Sequence, residues 1–333
     1  MDNMQIFLKI AKFIFLIFIL VLIINVVLEK RPTSKPTFGV TFSPKYAKYL
    51  KLDWRKTYLE TLDELKVKNL RLPTYWDVLE KDKDKYDFTE TDFMVDQASK
   101  RGARIILVVG ARQPRWPECH IPSWAKSLSM EERKQKVLEF IEKVVERYKN
   151  RSEIWAWQVE NEPLLGSFGE GCDSPDKDFL KQEVSLVKDL SKKKIIMTDS
   201  GELGFWATSM QFSDVFGTTV YRRVNDRFLG NITYPVLPFF YSIKSSLIRS
   251  IFGSGNQKTI IVELQAEPWL ADGNFVEPKQ QTEIFTTKNF EDYINFAQKT
   301  GFDEVYLWGV EWWYAVADKG YPEYLEYAKT IFR

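Results

Sequence analysis

The chain has 333 residues, with 47 Lys and Arg against 46 Asp and Glu, one histidine and two cysteines, so its formal charge is +1. That balance argues against a phosphate-reading surface, which needs strong positive charge, and no nucleic-acid partner is expected. A single histidine with two cysteines rules out His-rich zinc centres, and any Ser-His-Asp or Cys-His device would have to use His120. Carboxylate chemistry, which requires neither metal nor cofactor, stays open.

The first predicted element is apolar. Residues 13–28 contain no polar side chain except Asn25, and residues 6–8 extend the run across Lys9 and Lys12. About 20 apolar residues cross a bilayer, and the two lysines can snorkel to its edge. Residues 1–29 therefore read as one transmembrane helix, inserted through residues 6–28. A cleaved signal peptide would need small residues at its cleavage site, and the stretch from Asn25 to Glu29 has none. Basic residues flank both ends (Lys9 and Lys12; Lys30, Arg31 and Lys35), so charge does not decide the orientation. An N-terminal anchor normally leaves the following domain outside the cytoplasm, and the expectation is a single-pass membrane protein with an extracytoplasmic domain. Residues 30–36, with Pro32 and Pro36, form a short stiff tether. Residues 37–333 then form one domain, expected to be monomeric.

Eight short runs rich in Val, Ile and Leu follow, at 38–42, 69–72, 104–109, 154–159, 195–198, 215–220, 259–262 and 304–308. None alternates strictly, as befits parallel strands buried on both faces. Helical stretches separate them. Ser129 and Glu132 make a capping box for a helix reaching about Tyr148. Ser174-Pro175 predicts a second helix to about Leu190, with Pro at its first position, and a third at 288–300 stops before Gly301. Eight such alternations predict a (β/α)₈ TIM barrel, α/β in class. An open doubly wound sheet would carry a glycine-rich phosphate loop after its first strand, and the segment from Gly39 to Pro44 is not one.

In a barrel of this kind, chemistry sits where strands end. The second run ends on Arg71-Leu72-Pro73. The third is followed by a loop carrying Trp116, Cys119, His120 and Trp124, in which Trp116 and His120 are candidate sugar contacts, although Trp116 and Trp124 suit a cap on the barrel equally and His120 suits a structural role at least as well. Cys119 and Cys172, on neighbouring loops of one barrel face, predict a disulfide if the domain is exported. The fourth run ends on Asn161-Glu162-Pro163 and the sixth on Tyr221. The seventh reaches Glu263 with Trp269 beyond it, and the eighth ends on Trp308. Strands four and seven face one another across the mouth, so Glu162 and Glu263 can converge. Two facing carboxyls are what glycosidic-bond cleavage needs, one to protonate the leaving oxygen and one to attack the anomeric carbon. Glu118, Glu202, Glu267 and Glu311 also sit near strand ends and read as substrate contacts or solvated charges. The aromatic content, 15% with eleven Trp, suggests stacking platforms, with Trp269, Trp312 and Trp313 at outer subsites.

On these motifs the chain resembles the retaining glycoside hydrolases of clan A, most closely the cellulase-like family five and its neighbours. The resemblance runs from about residue 38 to 332. It implies that Glu162 is the acid/base and Glu263 the nucleophile, and that Asn161 contacts the sugar 2-hydroxyl. It further implies that Arg71 and Tyr221 bind the nucleophile carboxylate and that Trp308 lies beneath the cleaved sugar. Thr219-Val220-Tyr221 departs from the His-x-Tyr often found in family five at this point. The implied activity is double-displacement hydrolysis of an extracellular or envelope polysaccharide or oligosaccharide. A transglycosylase and a non-catalytic sugar-binding barrel are the alternatives.

Overall fold

The computed structural model describes residues 35–166, 169–226, 230–269 and 277–332. The predicted anchor at 6–28 lies outside these residues. Among the described residues, no helix is long and apolar enough to cross a membrane.

Eight strands form a closed parallel barrel: β1 (Thr37–Thr41), β2 (Asn69–Pro73), β3 (Arg104–Val109), β4 (Ile154–Val159), β5 (Lys194–Asp199), β6 (Val215–Val220), β7 (Lys258–Gln265) and β8 (Glu304–Trp308). Each strand pairs with its sequence neighbour, and β1 closes the ring on β8, Thr37 opposite Glu304 through Thr41 opposite Trp308. The barrel is lined at its base by Ile106, Ala156, Ile196, Val215, Ile260, Val262 and Tyr306. The larger apolar layer lies between strands and helices, where Phe42, Trp157, Val159, Ile261 and Leu264 pack. A core buried on both faces of every strand explains the runs without alternation.

The helix Met130–Tyr148 carries the capping box from Ser129 and Glu132. The next helix is Lys177–Leu190, two residues later than Ser174-Pro175 suggested, because the Asp176 side chain accepts from the Asp178 and Phe179 N–H groups and supplies the cap. The helix Thr287–Lys299 starts from a second capping box at Thr286 and stops before Gly301, whose φ of +78° suits glycine. An antiparallel hairpin after β6 (Arg223–Asp226 with Gly230–Thr233) had no counterpart in the sequence reading.

The richness in Trp is largely structural. Trp76, Trp157, Trp206, Trp312 and Trp313 are fully buried. Trp312 and Trp313 therefore line no outer subsite; their ring N–H groups donate to Gln281 Oε1 at 2.6 Å and to the Ala266 carbonyl at 2.8 Å. Trp157 likewise faces the helix layer and donates to Ser191 Oγ at 3.0 Å.

Candidate active site

Glu263 reaches the barrel mouth through an irregularity in β7. Between Ile261 and Glu263 the pairing with β6 advances two residues against one, and between Ile261 and Leu264 the pairing with β8 advances three against two. One extra residue is accommodated there, a bulge that shifts the in–out phase of the strand. Val262 still lines the barrel and Leu264 has moved to the helix side. Strict alternation from Val262 would have sent Glu263 outward.

At the end of β4, Glu160 and Glu162 both adopt positive φ, +57° and +45°. That region costs a non-glycine residue roughly 1–2 kcal/mol, and such strain concentrates at functional sites. Local bonds hold it. Glu160 accepts from the Ala111 and Arg112 N–H groups, tying this turn to the loop after β3. The Glu162 N–H donates to Thr198 Oγ1 at 2.8 Å, and Thr219 Oγ1 donates to Glu162 Oε1 at 3.2 Å.

Arg71 is the hub. Its guanidinium is completely buried and donates from Nη1 to Glu263 Oε1 at 2.7 Å, from Nη2 to Asn161 Oδ1 at 2.6 Å and from Nε to Gln158 Oε1 at 2.7 Å. Tyr221 Oη donates to the other Glu263 oxygen at 2.8 Å. Glu263 is thus held at both oxygens, and the Asn161 amide is fixed with its oxygen toward Arg71. The fork geometry of Arg meets three acceptors, Gln158 in β4, Asn161 just beyond it and Glu263 in β7, which a single ammonium cannot. Replacing Arg71 by Met should lower the unfolding free energy by about 3–5 kcal/mol, the cost of stranding a buried charge, and Arg71→Lys should recover little of it. Equilibrium denaturation of both variants checks this.

Glu162 has different surroundings. Burial, reinforced by the charges of Glu263, Glu118 and Asp199, holds its carboxyl well above the usual carboxylate range. Glu118 is pushed up to about 7, by burial first, while bonding to Arg112 Nε at 3.0 Å. One carboxyl bonded to a buried cation beside another whose pKa is raised by burial is an arrangement able to combine attack with proton donation.

Several other expected contacts lie elsewhere. Trp269 sits edge-on against Tyr221, ring centres 4.9 Å apart, so it joins the site. Trp308 is 9% exposed, and the Arg115 guanidinium stacks on its ring at 4.1 Å. Arg115 also stacks on Tyr46 at 3.9 Å and pairs with both Glu267 and Glu311, which are therefore buried ion-pair partners rather than solvated charges. His120 is a correction: it is 1% exposed, with Nδ1 against Lys45 Nζ at 2.9 Å and Nε2 against the Arg115 carbonyl at 3.1 Å. Both ring nitrogens are engaged within the protein, and burial beside Lys45 pushes its pKa down to about 4. Trp116 stands 66% exposed on the same loop, whereas Trp124 packs edge-on against Trp76. Glu202 supports the site indirectly, accepting from the Tyr221 N–H at 3.0 Å and from Tyr241 Oη.

Gln158, Thr198, Thr219 and Arg115 were not anticipated. Gln158 had a signal, since a buried polar side chain in an otherwise apolar strand needs a partner. Thr219 had one in its place at the His position of the His-x-Tyr pattern, whereas Thr198 had none, being an ordinary strand residue.

Cys119 and Cys172 are bonded, with Cα atoms 5.2 Å apart and 53 residues between them. The bridge joins the loops after β3 and β4. Closing a loop of that length is worth about 4 kcal/mol in the chain-entropy model. The double Cys→Ser variant should lose about 2–4 kcal/mol of stability, read by urea denaturation; an unchanged midpoint would show that the bridge adds none.

Comparison with known proteins places this geometry. The family model described as Cellulase (glycosyl hydrolase family 5) matches residues 33–226, more than half of the chain. Beta-galactosidase LacZ of Lactobacillus acidophilus is 25% identical over an alignment of 134 residues that covers 35% of this chain and 20% of the galactosidase. The chain thus spans about a fifth of that curated relative. Among solved structures, a GH5_18 protein of Streptomyces cattleya in complex with GlcNAc superposes with a TM-score of 0.57 at 13% identity, over 83% of this chain and 71% of that one. A GH5_18 protein of Bifidobacterium longum gives 0.59 at 12%, over 83% and 70%. An endo-beta-1,4-xylanase of family 10 from Gloeophyllum trabeum gives 0.53 at 13%, over 82% and 84%. At these identities the likeness is one of fold.

Proposed function

This chain belongs to glycosyl hydrolase family 5, and from that premise we propose that it cleaves β-glycosidic bonds of a polysaccharide or oligosaccharide with retention, as a membrane-tethered domain outside the cytoplasm. The observation that carries the chemistry is the double bond to Glu263, Arg71 on one oxygen and Tyr221 on the other. These partners hold both carboxyl oxygens and aim them, as a nucleophile requires. Glu162, held protonated by burial and neighbouring charge, gives its proton to the departing oxygen. After the glycosyl ester forms on Glu263, Glu162, now a carboxylate, takes a proton from water, and hydrolysis returns the starting enzyme. The Asn161 amide, its oxygen occupied by Arg71, presents its NH₂ to the sugar 2-hydroxyl. Trp269 and Trp308 offer aromatic surface near the cleaved sugar.

The tethering rests on different observations. The sequence of residues 6–28 is long enough and apolar enough to span a bilayer. The Cys119–Cys172 bridge fits an oxidising compartment. In this reading residues 1–29 anchor the chain, 30–36 tether it and 37–333 form the catalytic domain.

Turnover of a panel of aryl β-glycosides and β-linked polysaccharides by the detergent-solubilised full chain tests the activity; an enzyme inert on all of them would refute it. The pH profile should carry the mark of Glu162. A general acid works in its protonated form, so kcat/KM should fall as pH rises through its raised pKa. The alkaline limb should therefore lie well above the ordinary range of a glutamic acid. In Glu162→Gln, activated aryl substrates should lose that limb. A limb that persists there would assign it to another group.

A further inference from the structure

Seven of the ten large apolar side chains left exposed among the described residues belong to one flank of the barrel. Its centre is the helix Pro238–Phe252, which connects β6 to β7 after the hairpin. Tyr241, Ser245 and Ile248 face inward, whereas Phe240, Ile243, Leu247 and Ile251 form a single outward stripe at helical spacing. Their exposure rises along the helix, 37%, 50%, 56% and 62%. Leu237 before the helix, and Leu203 and Phe205 in the loop beside it, widen the patch. That loop is fastened to the helix by Lys244, which donates to the Gly201 and Gly204 carbonyls, and Phe205 packs edge-on against Phe252. An apolar patch this continuous on a folded domain marks a contact surface.

Two observations name the occupant. The helix contains no Asp or Glu, and its two charges, Lys244 and Arg249, are positive, a composition suited to lipid headgroups rather than to a basic partner. The chain also arrives from the same end of the barrel. Arg249 bonds to the Gln257 carbonyl at the foot of β7, and the Thr37 N–H donates to the Asp303 carbonyl at the foot of β8. Only β7 and β8, spaced by about 4.8 Å per strand, separate the helix from the entry of β1. The eight residues 29–36 reach at most about 29 Å, so an anchor at 6–28 keeps this flank within contact distance of the bilayer. We propose that the flank built on the helix Pro238–Phe252 lies on the lipid surface, inserting Ile243, Leu247 and Ile251 among the headgroups and turning the barrel mouth along the membrane. This rests on the anchor reading above. It deepens that reading by adding a second membrane contact and a fixed orientation.

The test uses the full chain in vesicles of phosphatidylcholine and phosphatidylglycerol, with a nitroxide label at Leu247→Cys or Ile251→Cys and a control at Lys143→Cys, exposed on the helix Met130–Tyr148. Either stripe label suffices should the other variant not fold. Collisions with a water-soluble nickel complex should be several-fold fewer at the stripe than at position 143, and collisions with oxygen more frequent. Retention on flotation with a stripe label as water-accessible as the control overturns the docking and leaves the anchor standing. A chain that leaves the vesicles on flotation overturns the anchor, and the docking with it. Labels shielded from both reagents and coupled to each other would place a second copy on the stripe, overturning the lipid contact.

Discussion

Glu263→Ala should abolish glycosyl-enzyme formation for every leaving group, however activated, because the attacking carboxylate is gone. The expected loss in kcat is on the order of 10⁶, the scale seen when a catalytic nucleophile is removed. Azide should restore turnover of activated aryl β-glycosides by occupying the vacated space, and the product should be the α-glycosyl azide, formed by one displacement. Arg71 and Tyr221 would remain, their bonds to the carboxylate replaced by water or by the anion. Recovery of a β-azide from this variant would exchange the two roles.

Glu162→Ala should behave differently. A poor leaving group needs a proton and a good one does not, so hydrolysis of natural substrates should fall by roughly 10²–10⁴, the usual worth of general acid–base catalysis. Activated aryl glycosides should still form the ester on Glu263, which then accumulates because no base activates water. Azide should speed its breakdown and give the β-glycosyl azide after two displacements. Activity on polysaccharide equal to that of the native enzyme would remove Glu162 from the mechanism.

The barrel itself was legible because its strands are short runs, most of them rich in Val, Ile and Leu, without strict alternation. β3, β4, β6 and β8 have the bounds read from sequence, while β1 begins one residue earlier and β7 extends to Gln265. The bulge that aims Glu263 was not legible, since it depends on how β6 and β8 register against β7 and not on any residue within it. Glu162 and Glu263 stood out as carboxyls ending apolar strands, but the bonds of Gln158 and Thr198 required the barrel to be closed. Aromatic side chains misled in a consistent way. An indole contributes a large apolar surface and one donor, so it serves a core as well as a sugar platform. Trp312 and Trp313, four and five residues past the end of β8, take the core. His120 misled for a related reason: a loop position near the mouth does not reveal that Lys45 and a carbonyl already hold both its nitrogens.

The central claim is that Glu263 attacks the sugar and Glu162 manages the proton. It is tested most directly by trapping. The enzyme is incubated with activated 2-deoxy-2-fluoro β-glycosides of the gluco, manno, galacto and xylo series, and the labelled peptide is identified by mass spectrometry. One of these sugars should add a single glycosyl mass, located as an ester on Glu263 and absent from Glu263→Ala. An ester on Glu162 or Glu118, or an active enzyme that none of the reagents labels, would contradict the assignment.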